Sequence, residues 1–132
     1  MMSSQPLYES IDPTTYLNLA QELAKRPDVA SRRTAADRIY YAAFLTSRDQ
    51  LASKDYLTPY YSIDDNKLVT ETLKRELGAA GNDEFRLRRA RNCINYDTRD
   101  LGHDVQDVRS LKWMIDTASG VICKVQALPH NS

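Results

Sequence analysis

Apolar residues return at intervals of three and four along five stretches of this chain, the spacing of amphipathic helices. Tyr16, Leu19, Ala20 and Leu23 mark the first. It is predicted from about Asp12, placed as N-cap, to about Arg26, with Pro13 at the first helical position. Pro27 ends it, because a proline disfavours helix in the residue before it. The second helix, about Ser31 to Ser53, holds no proline or glycine and carries two adjoining stripes. One is Ala35, Ile39, Ala42, Ala43 and Thr46; the other is Arg33, Ala36, Tyr40, Phe44, Ser47 and Leu51. So wide an inner face suits the central helix of a bundle. Residues 54–65 form a loop with three tyrosines. The third helix spans about Asn66 to Leu77, with Leu68, Val69, Thr72, Leu73 and Leu77 inward. Gly78 is placed to cap it, and residues 78–82 are expected to turn. The fourth runs from Asp83, as N-cap, to Tyr96 on a narrow stripe of Leu87, Ala90 and Ile94. The fifth, about Val105 to Leu128, repeats Val105, Val108, Leu111, Ile115, Ala118, Ile122 and Val125 before Pro129 stops it.

The expected fold is therefore all-α, an antiparallel up-and-down bundle of about five helices. It forms one domain over residues 12–128, between a flexible N-terminal stretch, 1–11, and a short tail, 129–132. Four glycines in 132 residues agree with long helices and few turns. Eighteen basic and eighteen acidic residues cancel, which argues against a nonspecific polyanion binder but leaves room for a local basic patch. No apolar run approaches the ~18 residues of a membrane span. Met1 to Glu9 lacks the basic start and apolar core of a secretion signal. Cys93 and Cys123 belong to no Cys-x-x-Cys pair and read as reduced thiols. A cytoplasmic protein is expected.

The candidate chemistry lies in the fourth helix. From Phe85 to Tyr96 it carries Arg86, Arg88, Arg89 and Arg91 and no acidic residue. Helical spacing puts Arg88, Arg91 and Asn95 on one face, with Asn92 beside them. Clustered guanidinium groups can hold phosphate through paired hydrogen bonds, or stabilise charge developing in phosphoryl transfer. The plainer alternative is a solvated face paired with acids such as Asp37, Asp97 or Asp100.

Two motifs carry a resemblance. The second helix reads Ala36-Asp37-Arg38-Ile39-Tyr40-Tyr41-Ala42-Ala43-Phe44, and the fourth ends Arg91-Asn92-Cys93-Ile94-Asn95-Tyr96-Asp97. The first resembles the Arg-x-Tyr-Tyr-Ala-x-Phe signature of small prokaryotic HEPN proteins. The second is similar to a HEPN subgroup with Arg, three variable residues and Ala/Asp-Tyr-Asp, with Asn95 where Asp is usual. Helix order and both motifs fall in register over nearly the whole chain. The resemblance implies a homodimer with two copies of Arg91 and Tyr96 near a shared cleft. It also implies a nucleotide- or RNA-interacting module of a prokaryotic defence or toxin–antitoxin system, partnered by a nucleotidyltransferase-type protein. Members with an arginine followed by histidine are often metal-independent ribonucleases. Here Tyr96 stands at the histidine position, and a hydroxyl with a pKa near ~10 is a poor general base at neutral pH. Tyr96 can still donate to phosphate or stack on a base.

Three functions follow in order. In the first, Arg88, Arg91, Asn92 and Asn95 bind phosphate and Tyr96 donates or stacks, without efficient catalysis. In the second, Arg91 with Tyr96 or His103 cleaves RNA. In the third, the protein is a noncatalytic dimerisation module. His103 sits in a loop outside the family spacing, and His130, in the tail, is expected to have no structural role. No cofactor or metal site is expected: Asp64-Asp65 and Asp104/Asp107 sit at helix starts, where they complement the helix dipole. Tyr40 is expected in the core, and Tyr41 either in the core or at an interface.

Overall fold

A computed structural model describes the backbone of residues 12–96 and 108–132 and the side chains of 12–93 and 111–132. Five helices make up the fold: α1 (Thr14–Ala24), α2 (Val29–Ser53), α3 (Asp65–Leu77), α4 (Ala79–Tyr96) and α5 (Val108–Ala127). The described residues contain no strand. None of their helices is long and apolar enough to cross a membrane.

The wide inner face read from the second helix is buried as expected. Ala35, Ala36, Ile39, Tyr40, Ala42, Ala43, Phe44, Thr46, Ser47 and Leu51 are all inside. With two stripes covered, α2 packs against each of the other four helices. Its four buried alanines leave short side chains where neighbouring helices approach. From α5, Leu111, Met114, Ala118, Val121 and Val125 close the core against it. Ile115, expected inward, is only partly buried, and Met114 and Val121 take the innermost places.

Helix ends follow local chemistry. Helix α1 begins one residue later than expected, with Pro13 at the N-cap, and Asp12 Oδ1 accepts the Thr14 backbone N–H at 3.0 Å from just outside it. Helix α2 begins two residues before the predicted Ser31, because Asp28 is its N-cap and accepts the Ser31 N–H at 2.9 Å. The hydrogen bonds from Ser31 hold the Asp28 carboxyl below the usual carboxylate range.

The predicted turn over 78–82 is replaced by a one-residue hinge. Gly78 has φ +57° and donates its N–H to the Lys74 carbonyl, ending α3. Its own carbonyl accepts from Gly81 and Asn82, starting α4 at once. Asp83 is therefore an internal helical residue, not an N-cap, and lies 3.8 Å from Arg86. The Gly81-Asn82 pair that reads as a turn has a packing cause instead: a Cβ on Gly81 would run into the Lys74 backbone. Gly81 thus lets α3 and α4 close into a tight antiparallel hairpin, in which Thr70 meets Glu84 and the start of α3 lies opposite Arg88 and Arg91.

The C-terminal tail is tied down. Lys54, just past α2, donates through Nζ to the Val125 and Gln126 carbonyls at 3.0 and 2.7 Å, satisfying the end of α5. The C-terminal ends of α2 and α5 consequently lie together. Tyr56 donates to the Pro129 carbonyl at 2.7 Å, and Asn131 Nδ2 to that of Asp55 at 3.1 Å. His130, expected to do nothing structural, sits 2.8 Å from the Asp55 carboxylate. The reason is tertiary: the loop after α2 folds back over residues distant in sequence.

Candidate functional site

Helix α4 presents its arginines in two directions. Arg86 lies over the Trp113 ring of α5, 4.8 Å from the centroid. Arg88, Arg89 and Arg91 line a cleft of about 610 Å³ between α4 and the start of α3, together with Lys67, Asn66, Asn92, Phe85, Ile63 and Asp64. Four cations thus converge on one concavity, and among the described residues its lining includes a single carboxylate. The antiparallel hairpin is what brings Lys67 and Asn66 opposite residues 88–92.

Aromatic rings fix these cations. Lys74, Arg88 and Arg89 lie 4.9, 5.2 and 6.0 Å from the Phe85 centroid. The Arg91 guanidinium sits 4.8 Å from the Tyr40 ring and 5.5 Å from that of Tyr41. The two tyrosine rings are tilted by 56° and Tyr40 stacks on Phe44, so Arg91 rests on the aromatic wall of α2. Its Nε is buried without a hydrogen-bond partner among the described residues. Such an unmet donor costs about 1–3 kcal/mol, offset by a cation–π contact worth up to ~2 kcal/mol when desolvated.

Tyr40 is a positioning group, not an acid or base. It is fully buried and its hydroxyl donates to Asn66 Oδ1 at 2.8 Å, linking α2 to the cleft. Burial, and then the nearby Glu84 carboxylate, push its pKa well above the ordinary tyrosine value. It remains protonated throughout the neutral range.

Beneath the arginines lies Glu84, with no exposed surface. Burial raises its pKa from 4.5 to about 7, against the opposing influence of Thr70, Arg88 and Lys74. Thr70 Oγ1 lies 2.6 Å from Glu84 Oε2 and 2.9 Å from the Asn66 carbonyl. One hydroxyl hydrogen cannot serve both acceptors. A hydroxyl hydrogen aimed at Glu84 favours the charged carboxylate and so opposes the effect of burial. Burial outweighs that hydrogen bond, so Glu84 holds its proton to a higher pH than an exposed glutamate does.

A second pocket of about 340 Å³ adjoins the first and shares Ile63, Asn66 and Arg91 with it. Tyr41, Phe44, Leu45, Arg48, Tyr61 and Ser62 complete its lining. Arg91 thus stands on the border between a cationic cleft and an aromatic one.

Of the predicted site residues, Arg88, Arg91 and Asn92 come together. Asn95 and Tyr96 lie on the last turn of α4, but their side chains, like Asp97 and His103, fall outside the described residues. Cys93 and Cys123 are both free thiols. Sequence reasoning missed Asn66, Lys67, Arg48, Tyr61 and Glu84. None has a local signal: a helix start, a mid-helix arginine, a loop tyrosine and a helical glutamate become a site only through packing. No family model, no curated protein and no solved structure matches this chain.

Proposed function

We propose that this protein is a HEPN-like module that binds a phosphate group of a nucleotide or RNA strand in the cleft between α3 and α4. The observation that carries this reading is the convergence of Lys67, Arg88, Arg89 and Arg91 from two helices on one concavity, with Asp64 as the only acid among the described residues that line it. Guanidinium groups suit phosphate because their planar donors match two oxygens at once, and a partly desolvated site strengthens each bond. The ring contacts hold three of these groups before a ligand arrives, which lowers the ordering cost of binding. A net charge of zero for the whole chain then makes the cleft a local feature, not part of a general polyanion surface.

Binding without efficient cleavage is the form of the proposal. The Tyr96 substitution at the family's histidine position argues against a strong general base. Tyr40, the hydroxyl against Arg91, is held protonated. A homodimer and a nucleotidyltransferase-type partner belong to the same proposal through the HEPN resemblance.

Titration calorimetry with nucleoside 5′-monophosphates and short single-stranded RNA at low ionic strength tests it. Arg88→Ala and Arg91→Ala are each expected to weaken binding by on the order of tenfold or more, since a charge-assisted contact is worth about 1.5–3 kcal/mol. Arg75→Ala serves as control, because Arg75 is an exposed residue paired with Glu76 and does not line the cleft. Absence of binding by wild type, or equal loss in the Arg75 control, refutes the reading. Metal-independent RNA cleavage by wild type that disappears in Arg91→Ala would establish a ribonuclease in its place.

A further inference from the structure

We propose that the second pocket is a base-recognition subsite in which Tyr61, backed by Arg48, offers a ring face to a nucleobase whose phosphate occupies the neighbouring cationic cleft. This rests on the phosphate-binding reading above and adds the chemistry of the other end of the ligand.

The first observation is exposure. In the connection between α2 and α3, Tyr60, Tyr61 and Ile63 are 69, 72 and 82% exposed. Three large apolar side chains within four positions is a patch of the kind that marks an interaction site. The second is that the patch is held in place. Asp65 is buried, and its two carboxylate oxygens accept the backbone N–H groups of Tyr60 and Tyr61 at 2.8 and 2.9 Å. Asp65 therefore does more than complement the dipole of α3; it fixes the lip of the pocket.

The third observation is backbone strain. Tyr61 has φ +55°, the left-handed region that glycine enters freely and a bulky L side chain enters at a cost. A turn needing only this geometry is best served by glycine or asparagine. Retaining a tyrosine here places an aromatic ring at the pocket mouth, and strain of this kind gathers at ligand clamps.

The surroundings name the ligand. The Arg48 guanidinium lies 5.0 Å from the Tyr61 ring centroid and is itself held 3.1 Å from Asp49. One face of the ring is thus backed by a cation, and the residue's high exposure leaves aromatic surface for a partner. Tyr41 and Phe44 add apolar wall, and Arg91 and Asn66 join this pocket to the phosphate cleft. A ligand with a flat aromatic end and an anionic end fits the pair of pockets: a nucleotide unit, either free or within a single strand. Stacking on tyrosine is tolerant of base identity because every base has a π face, so the subsite selects a nucleotide over a sugar phosphate without reading sequence.

The test compares adenosine 5′-monophosphate, ribose 5-phosphate and a short single-stranded oligonucleotide by calorimetry. Wild type is expected to bind the nucleotide unit about ten- to a hundredfold more tightly than ribose 5-phosphate, the span of one stacked base. Tyr61→Leu closes that gap and leaves ribose 5-phosphate binding unchanged, whereas Tyr61→Phe preserves it. Tyr61→Gly raises the melting temperature by on the order of 2–5 °C through relief of the strained backbone, yet loses the nucleotide preference. That opposition separates a binding role from a structural one. A Tyr61-dependent gap for the mononucleotide assigns the subsite to free nucleotides; one seen only with the oligonucleotide assigns it to a strand. Equal affinity of wild type for ribose 5-phosphate and both nucleotide ligands, or a gap that survives in Tyr61→Leu, overturns the base subsite while leaving phosphate binding standing. Failure of every ligand to bind overturns both.

Discussion

Replacing Glu84 by glutamine should stabilise the protein at pH 8 and change little at pH 4.5. Glu84 is fully buried at the α3–α4 interface, and its pKa is about 7 in place of 4.5. An acid whose pKa is raised by folding binds more protons folded than unfolded between those two values. The unfolding free energy therefore falls as pH rises from about 4.5 to about 7 and levels off above. At about 1.4 kcal/mol per pH unit, the cost of keeping Glu84 inside reaches about 3 kcal/mol at pH 8 and is small at pH 4.5. Glutamine has the same shape and no charge, and its amide oxygen can accept from Thr70 Oγ1 as the Glu84 carboxyl does. Urea denaturation of wild type and Glu84→Gln at intervals from pH 4.5 to 8.5, followed by helical circular dichroism, measures the difference. Taking the difference cancels the titration of every other group. A gap that is flat across this range, or glutamine less stable than wild type at pH 8, would refute the reasoning.

Two further perturbations address the frame that positions the site. Gly81→Ala should destabilise by about 2 kcal/mol or more in urea melts, because its Cβ meets the Lys74 backbone, which cannot swing aside. Helix propensity by itself favours alanine by about 1 kcal/mol, so an alanine variant as stable as wild type would show that the hairpin is looser than described. Asp65→Asn removes one of two acceptors for the Tyr60 and Tyr61 N–H groups and should cost about 1–3 kcal/mol. Hydrogen exchange at those two amides should accelerate beyond the change in global stability; unchanged protection would mean that Asp65 does not hold the loop.

Much of the fold was legible because periodicity reports burial directly. Every buried residue of α2 belongs to a stripe read from its spacing. The errors fell where one residue type has two physical uses. Gly81 next to Asn82 has the composition of a turn, yet its missing Cβ serves close helix packing. Asp64-Asp65 stands at a helix start as its composition suggests, but the sequence did not show that Asp65 also gives its oxygens to a loop. His130 looks like a loose tail residue until the loop after α2 brings Asp55 to it.

The candidate site divides along the same line. Arg88, Arg91 and Asn92 were found from the sequence because they share one helix, where spacing alone decides which side chains are neighbours. Lys67 and Asn66 join them only because a one-residue hinge at Gly78 folds α3 back along α4. Arg48, Tyr41 and Tyr61 join through the packing of α2 against that hairpin. Glu84 gives no warning in the sequence, since a glutamate on an arginine-rich helix reads as solvated. Its raised pKa comes from the desolvation that packing imposes. The sequence by itself determined which stretches are helical, which faces turn inward and where guanidinium groups cluster, for these follow from short-range spacing. Tertiary structure alone decided that the cluster borders an aromatic pocket, has a buried acid beneath it and opens on a cleft, for these depend on contacts between residues far apart in the chain.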